Sequence, residues 1–242
     1  MRIVVLTNRS THGQRILEEF KRSGIPVAAV LVECGPAPKR PPLSTCLKEL
    51  GYQTTASVLY RDLCEVVWPN LPAVRYRRFA PVARRVTAFN SSECEQLLAD
   101  LRPDLIVLGG APILKRPILE RATLAVLNAH PGLLPSYRGN DVIAWALHNG
   151  DPVGVTVHVV DAGIDTGAII KRQDLPVAKG ESIKDLKLKA ELLAATMMGQ
   201  VVRDVMSKGG ITTLPPSGTR GPLYRVMPAD MRAALDQKLS GR

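Results

Sequence analysis

Apolar and polar positions near the start of the chain predict a strand, a helix and a second strand. Residues 2–7 are mostly apolar and β-branched, as in a buried strand, and residues 27–33 repeat that pattern. Residues 13–23 carry apolar side chains at helical spacing and are followed by Gly24 and Pro26, which end helices. This β-α-β order predicts a parallel sheet with helices on its faces.

The alternation of strands and helices returns after residue 90. Ser92 and Glu95 form a capping-box pattern that begins a predicted helix, and Pro103 follows the end of that helix. The elements predicted beyond it are a strand at 105–110, a short helix near 116–122, a strand at 124–128, a short helix at 141–149, strands at 153–160 and 168–170, and a long helix at 181–207. The predicted fold class is α/β, with an open, mostly parallel sheet flanked by helices.

Two segments do not follow this alternation. Residues 34–90 are rich in proline and basic residues and contain broken helical patterns at 43–66, so we expect a loop-and-helix excursion there. Residues 208–242 carry several glycines and prolines before one short predicted helix. The chain therefore divides into a main domain, residues 1–207, with the excursion inside it, and a short, loop-rich C-terminal extension, residues 208–242.

Positive charge is concentrated in the same two segments. The chain has 242 residues, 32 Lys and Arg against 22 Asp and Glu, and a formal net charge of +10. Residues 36–90 carry a net +6 and residues 205–242 a net +4, while the rest is neutral by count. The densest basic run comprises Arg75, Arg77, Arg78, Arg84 and Arg85. Such a run is either a solvated surface or a phosphate- or RNA-binding patch, so a nucleic-acid partner is open but not favoured.

Cysteine spacing and the length of apolar runs bear on location. The four cysteines, at positions 34, 46, 64 and 94, lack metal-binding spacing, so we expect idle thiols, no metal site and a reducing compartment. The first apolar run, residues 3–6, is too short for a signal-peptide core, and no later run is long enough to span a bilayer. The expected location is cytoplasmic, without a membrane partner; the oligomeric state is not predicted.

The segment richest in candidate chemistry begins at the end of the strand at 124–128, where ligands bind in open parallel sheets. Asn128 and His130 are separated by one residue, so on an extended segment they face the same side. An amide and an imidazole aimed at one carbonyl oxygen stabilise the negative charge that forms when a nucleophile attacks it. Asp165, in a glycine-flanked turn, could accept a hydrogen bond from His130 or take a proton. The same residue types also occur as strand-end caps and turn residues, and His158 is interpreted as a packed strand residue.

Two motifs in this region resemble those of the formyltransferases that use 10-formyltetrahydrofolate. The first, N-x-H-P-x-L-L-P-x-Y-x-G, runs from Asn128 to Gly139, and the second, G-V-T-x-H followed by D-x-G-x-D-x-G, runs from Gly154 to Gly167. The resemblance covers about residues 100–175 and, loosely, the β-α-β opening. That family includes glycinamide ribonucleotide transformylase, methionyl-tRNA formyltransferase and sugar-amine formyltransferases. The resemblance implies a Rossmann-like formyltransferase fold, with residues 1–207 as the catalytic domain.

The resemblance also implies a folate-dependent one-carbon transferase with Asn128, His130 and Asp165 as catalytic residues. An amine attacks the formyl carbon of 10-formyltetrahydrofolate, and Asn128 and protonated His130 stabilise the oxyanion. Asp165 keeps His130 charged and helps to pass a proton from the amine to the departing folate nitrogen; no metal takes part. By the same resemblance, the folate lies against the backbone of two loops, at Gly110, Ala111, Pro112, Ile113 and Leu114, and at Val160, Asp161, Ala162 and Gly163.

The amine acceptor is not identified by the sequence. The first loop matches poorly the phosphate loop of glycinamide ribonucleotide enzymes, and it lacks the GxGxxG pattern of NAD or FAD sites. The roughly 35 residues after the long helix are too few for the C-terminal barrel of the tRNA enzymes. We expect a stand-alone enzyme that formylates glycinamide ribonucleotide, the leading candidate by size, an amino sugar or an aminoacyl group. The candidate substrate-binding residues are Ser10, Thr11, Tyr137, Arg138 and Gly139.

Two alternatives stay open. A formyltetrahydrofolate hydrolase would use the same site, with water replacing the amine. A tRNA-acting formyltransferase would use the two basic segments to bind the phosphate backbone, and its binding would weaken steeply with salt.

Overall fold

The computed structural model describes residues 1–35, 73, 75–215 and 218–240. The helical patterns predicted at 43–66 lie outside these residues, as does most of the predicted excursion. In chain order the elements are β1 Ile3–Thr7, α1 Thr11–Arg22, β2 Val27–Glu33, a 3-10 turn Arg75–Arg78, β3 Val82–Val86, α2 Ser92–Leu101, β4 Leu105–Gly109, α3 Arg116–Leu119, β5 Ala125–His130, β6 Arg138–Gly139, α4 Val142–Asn149, β7 Gly154–Val159, β8 Ile169–Asp174, α5 Ile183–Lys208, β9 Leu223–Tyr224 and α6 Ala229–Ser240.

Seven of the strands form one sheet in the order β3-β2-β1-β4-β5-β7-β8. The five strands from β3 to β5 are parallel to their neighbours, and β7 and β8 add antiparallel pairs at one side. Every residue of β1 and β4 is buried, as expected for strands covered on both faces. This arrangement confirms the α/β class and the mostly parallel sheet. A separate parallel pair joins β6 to β9.

Helices cover both faces of the sheet because successive strand residues point in opposite directions. Ile3 and Val5 belong to a core shared with α1 and α5, whereas Val4 and Leu6 belong to a second core shared with α2 and α3. The long helix α5 begins with a capping box, in which the side chains and backbones of Ser182 and Asp185 bond reciprocally.

The C-terminal part of the chain packs over α4. A third, smaller apolar cluster contains Ala144 of α4, Met227, and Leu235 and Leu239 of α6. The N–H of Met227 also donates to the carboxylate of Asp141, at the end of the loop that leads from β5 to α4, so the segment before α6 lies beside that loop.

Several details differ from the sequence predictions, among them the short strands β6 and β9, which lie in segments predicted as loops. The strand β3 lies inside the segment that was expected to be loop and helix, and it pairs with β2 at the edge of the sheet. The sequence of β3 contains Arg84 and Arg85, so it lacks the apolar run that predicts a buried strand. An edge strand tolerates such charges, because one of its sides faces solvent. The helix α2 is capped by Ser91, whose side chain accepts a hydrogen bond from Cys94, and not by Ser92.

None of the helices in the described ranges has the length and apolar character needed to cross a membrane. Cys94, on α2, is a buried free thiol.

Candidate active site

Three polar side chains meet where β5 pairs with β7. In this antiparallel pairing Asn128 lies opposite His158, and His130 lies opposite Thr156. The amide nitrogen of Asn128 is 3.4 Å from Nε2 of His158. Asn128 and His130 stand two positions apart on β5 and line the same cleft, as their alternation predicts.

Asp165 reaches this group from the loop between β7 and β8. One carboxylate oxygen lies 3.6 Å from Nδ1 of His130, and the other lies 3.7 Å from Nε2 of His158. The backbone N–H of Gly139 donates a 2.9 Å hydrogen bond to the oxygen that faces His130. Asp165 has a left-handed backbone, with φ of 51°, which a short polar residue tolerates better than most. The carboxylate therefore lies between two imidazoles, and Gly139 fixes its orientation.

The surroundings of His130 determine its protonation. Its Nε2 lies 2.8 Å from the carbonyl oxygen of Tyr137, so this nitrogen carries a proton, because a carbonyl only accepts. His130 is 4% exposed, and burial lowers its pKa, while Asp165 and the Tyr137 carbonyl act in the opposite direction. The family resemblance implies a protonated His130. Burial disfavours that protonated form, and the charge of Asp165 favours it.

His158 is a second buried imidazole in the site. Its Nδ1 lies 2.9 Å from the carbonyl oxygen of Val159. Burial and the neighbouring His130 lower its pKa, and Asp165 opposes them. Because the two ring centres are only 6.4 Å apart, a charge on one imidazole disfavours a charge on the other. At most one of the two rings is expected to be charged at a time.

A cleft of about 730 Å³ opens beside these residues, within the range of small-molecule sites. The predicted folate-binding residues that line it are Ala111, Pro112, Ile113, Leu114, Val160, Asp161 and Gly163. Gly110 and Ala162 lie in the same two loops but are not among the lining residues. The Asp161 carboxylate accepts hydrogen bonds from the Gly163 N–H and the Thr166 hydroxyl, which stabilises the turn before Asp165.

The five predicted substrate-binding residues are placed differently from one another. Gly139 lines the cleft, whereas the other four are not among its lining residues. The Ser10 hydroxyl caps α1 and donates to the Gly109 carbonyl. The Thr11 hydroxyl bonds to Glu191.

Tyr137 is buried, and its hydroxyl donates to the Asp151 carboxylate. The Nε of Arg138 is buried without a hydrogen-bond partner among the described residues.

Sequence reasoning missed two parts of the site. His158 contacts Asn128 and Asp165, and the signal for it was its place in the G-V-T-x-H motif. The segment 223–226, in the C-terminal extension, also lines the cleft. Sequence offered no signal for that contact, because it depends on how the chain returns to β6 after α5.

The fold is α/β, and in the site amide and imidazole donors surround a partly buried carboxylate, an arrangement that suits acyl transfer. No group of three or more His, Cys, Asp or Glu residues that could hold a metal occurs in the ranges the structure describes. The formyl transferase family model matches residues 1–202, so the chain belongs to the formyl transferase family. This match confirms the resemblance found in the sequence motifs.

Sequence relatives include methionyl-tRNA formyltransferases. The chain is 38% identical to that of Synechococcus sp. (strain CC9902) over 124 residues, which cover 50% of this chain and 36% of the relative. It is 31% identical to that of Syntrophus aciditrophicus (strain SB) over 191 residues, which cover 77% of this chain and 53% of the relative. The chain thus spans about half, or less, of the length of these curated relatives.

Solved structures of formyltransferases share the fold. A 4-N formyltransferase from Francisella tularensis matches with a TM-score of 0.64 at 19% identity, over 99% of this chain and 87% of that chain. Glycinamide ribonucleotide transformylase 1 from Symbiobacterium toebii matches with a TM-score of 0.62 at 24% identity, over 86% of this chain and 88% of that chain. At these identities the likeness concerns the fold alone.

Proposed function

We propose that this protein transfers the formyl group of 10-formyltetrahydrofolate to an amine, with Asn128, His130 and Asp165 as its catalytic residues. The observation that carries the proposal is the convergence of these three side chains beside one cleft. His130 and Asp165 are 3.6 Å apart, and all three residues line the cleft. Membership of the formyl transferase family supports the same reaction class.

In the proposed reaction, Asn128 and His130 stabilise the oxyanion and Asp165 transfers a proton. The amine nitrogen forms a bond to the formyl carbon, and the carbonyl oxygen gains the negative charge. The Asn128 amide and the His130 imidazolium stabilise that charge. Asp165 favours the charged form of His130 and relays the proton that the amine loses. The bond from carbon to the folate nitrogen then breaks, and that nitrogen takes the proton.

The N-terminus of α1 bears on the acceptor. Such a helix end is a general binding site for phosphate. Here the Glu191 carboxylate lies beside that helix end, where it accepts a hydrogen bond from the Thr11 hydroxyl and pairs with Arg15 at 3.0 Å. A phosphate in that place would lie against a carboxylate. This arrangement disfavours glycinamide ribonucleotide and favours an aminoacyl or amino-sugar acceptor, and the methionyl-tRNA formyltransferases among the relatives support the former.

The test is release of tetrahydrofolate from 10-formyltetrahydrofolate in the presence of three amines supplied separately: methionyl-tRNA, a nucleotide-linked amino sugar and glycinamide ribonucleotide. We expect release that depends on one of the first two amines, with formyl label recovered on that amine. Release without any amine would make the protein a hydrolase. No release under any condition would contradict the proposal.

A further inference from the structure

The segment after α5 returns to the active site and pairs with the loop that follows β5. Strand β9 runs parallel to β6, with Leu223 beside Arg138 and Tyr224 beside Gly139. The pairing continues at its end, where the N–H of Asn140 donates a 3.0 Å hydrogen bond to the carbonyl of Tyr224. The two strands are therefore joined by backbone contacts across more than eighty positions of sequence.

The loop held in this way contacts both ionisable members of the catalytic triplet. Its Tyr137 carbonyl lies 2.8 Å from Nε2 of His130, and its Gly139 N–H donates to Asp165 at 2.9 Å. These two contacts come from the same three-residue stretch of backbone. A shift of that stretch would move the imidazole and the carboxylate relative to each other.

Side chains reinforce the backbone pairing. The rings of Tyr137 and Tyr224 are stacked, with centres 5.2 Å apart and planes 9° from parallel. The Asn149 amide donates to both phenol oxygens, at 3.0 and 3.2 Å. The ring of Trp145, which belongs to α4, lies 5.4 Å from the ring of Tyr224. Tyr224 is thus held by neighbours that belong to the domain and not to the C-terminal extension.

The close approach of β6 and β9 requires glycine at position 139. Its φ is +95°, and a side-chain carbon there would overlap the carbonyl oxygen of Tyr224. The absence of a side chain lets β9 lie directly against the residue whose N–H orients Asp165.

We propose that Tyr224 is a positioning residue, which acts through the β6–β9 pair and the Tyr137 ring to hold His130 and Asp165 in their working arrangement. The inference rests on the proposed function, because it assigns a role at that same site. Tyr224 also lines the cleft, but its ring is stacked on Tyr137 and its hydroxyl is bonded to Asn149, so its role is in positioning and not in the reaction itself. Its loss is expected to lower turnover more than folate binding, because most of the predicted folate-binding residues lie in the loops after β4 and β7.

The experiment compares Tyr224→Ala with Tyr224→Phe in the full chain. We expect Tyr224→Ala to lower kcat about tenfold or more, with a change of less than about threefold in the folate KM, since small misplacements of reacting groups cost this much. Tyr224→Phe keeps the stacked ring and should retain activity within about twofold. Leu98→Ala, in the core on the other face of the sheet, is the control for lost stability without lost positioning.

A second readout follows the His130 imidazole by NMR titration, with its resonances assigned by their loss in His130→Ala. Burial is the largest influence on this pKa and lowers it. We expect the pKa of His130 to rise towards its ordinary value in Tyr224→Ala, because the loosened loop admits water, and to stay unchanged in Tyr224→Phe and Leu98→Ala.

Three results would overturn the positioning role: an unchanged His130 pKa in Tyr224→Ala, wild-type kcat in that variant, or an equal loss in Tyr224→Phe. If the wild-type protein transfers no formyl group, the proposed function fails, and the titration still decides whether Tyr224 positions His130.

Discussion

The two sides of the candidate active site are supported in different ways. Asn128, His130 and His158 stand on neighbouring strands, where the β5–β7 pairing fixes their spacing. Asp165 stands on a loop, and its position depends on a hydrogen bond from Gly139, 26 residues earlier in the chain. Strand-borne groups are positioned by a hydrogen-bonded ladder, whereas the loop-borne group is positioned by contacts that other segments must supply.

This difference predicts which substitutions remove a functional group and which alter the arrangement of the groups. A change on β5 or β7 removes a functional group but leaves the frame. A change in the loop at 137–141, or in the C-terminal segment that packs on it, leaves the groups and alters their arrangement. Variants of the two kinds should therefore differ in turnover, in stability and in pH dependence.

Removal of a strand-borne group should have the largest effect. We expect His130→Ala to lower kcat/KM for formyl transfer by about a hundredfold or more, because it removes an oxyanion donor and a proton carrier together. Steady-state kinetics measure the loss, and the exposed His148 on α4 provides the matched control as His148→Ala. Wild-type kinetics in His130→Ala would show that the strand side does not carry the chemistry.

Neutralising the loop-borne group should cost less, because the frame around it survives. Asp165→Asn keeps an oxygen for the Gly139 N–H but removes the charge that favours protonated His130. We expect kcat to fall about ten- to a hundredfold. Asp174→Asn, at the exposed end of β8, is the control. If Asp165→Asn lost no more activity than Asp174→Asn, the charge of Asp165 would have no part in turnover.

The strand side of the site was accessible to sequence reasoning. The apolar runs at 105–110 and 124–128 predict buried strands, and polar residues at the end of such a run face the ligand crevice of a parallel sheet. That pattern places Asn128 and His130 at the crevice, and the motif resemblance selects them as catalytic candidates over the alternative of strand-end caps. Asp165 needed the glycine-flanked turn and the motif spacing in addition, and its contact with His130 at 3.6 Å depends on tertiary structure.

The rest of the site depends on long-range pairing that has no local signature. Strand β9 has only two residues, which is too short for a period-2 pattern of apolar and polar side chains to be recognised. The charged β3 is hidden for a similar reason, because its backbone pairing and not its composition makes it a strand. Ser10 shows the converse: a residue type suited to phosphate binding is here a helix cap.

The attachment of the C-terminal extension can be weakened at Asp141, directly after the loop at 137–140. Its carboxylate accepts hydrogen bonds from Lys187 on α5, Arg232 on α6 and the Met227 N–H, at 2.9, 3.0 and 3.1 Å. Burial opposes the charge, but these bonds hold the pKa of Asp141 below its usual range.

We expect Asp141→Ala to lower the free energy of unfolding by about 1–3 kcal/mol, because it leaves the N–H of the buried Met227 and two partly exposed cations without their shared acceptor. Denaturant unfolding measures the loss, and hydrogen exchange should rise most in residues 221–240. Asp204→Ala, at an exposed position of α5, is the control. Equal stability of the two variants would mean that the extension is held by other contacts.

The smallest expected effect is the share that each buried histidine has in a loss of stability in mild acid. Burial lowers the pKa of His130 and His158 on the strand side, and of His12 on α1, so the unfolded chain, with ordinary values near 6.5, binds more protons. Stability should therefore be complete above about pH 7 and fall as the pH drops through 6.5, by up to about 1.4 kcal/mol per pH unit for each histidine.

The carboxylates whose pKa is lowered in the folded protein lose their contribution only below their ordinary values of 4.5 for Glu and 3.8 for Asp, outside this window. They are Glu19, Asp104, Asp141, Glu181 and Asp185. Urea unfolding between pH 7.5 and 5.5 measures the slope. It should be shallower in His158→Gln and unchanged in His148→Gln, since His148 is exposed and His158 is buried. A slope that is the same in all three proteins would show that the buried His158 imidazole on β7 does not limit stability in acid.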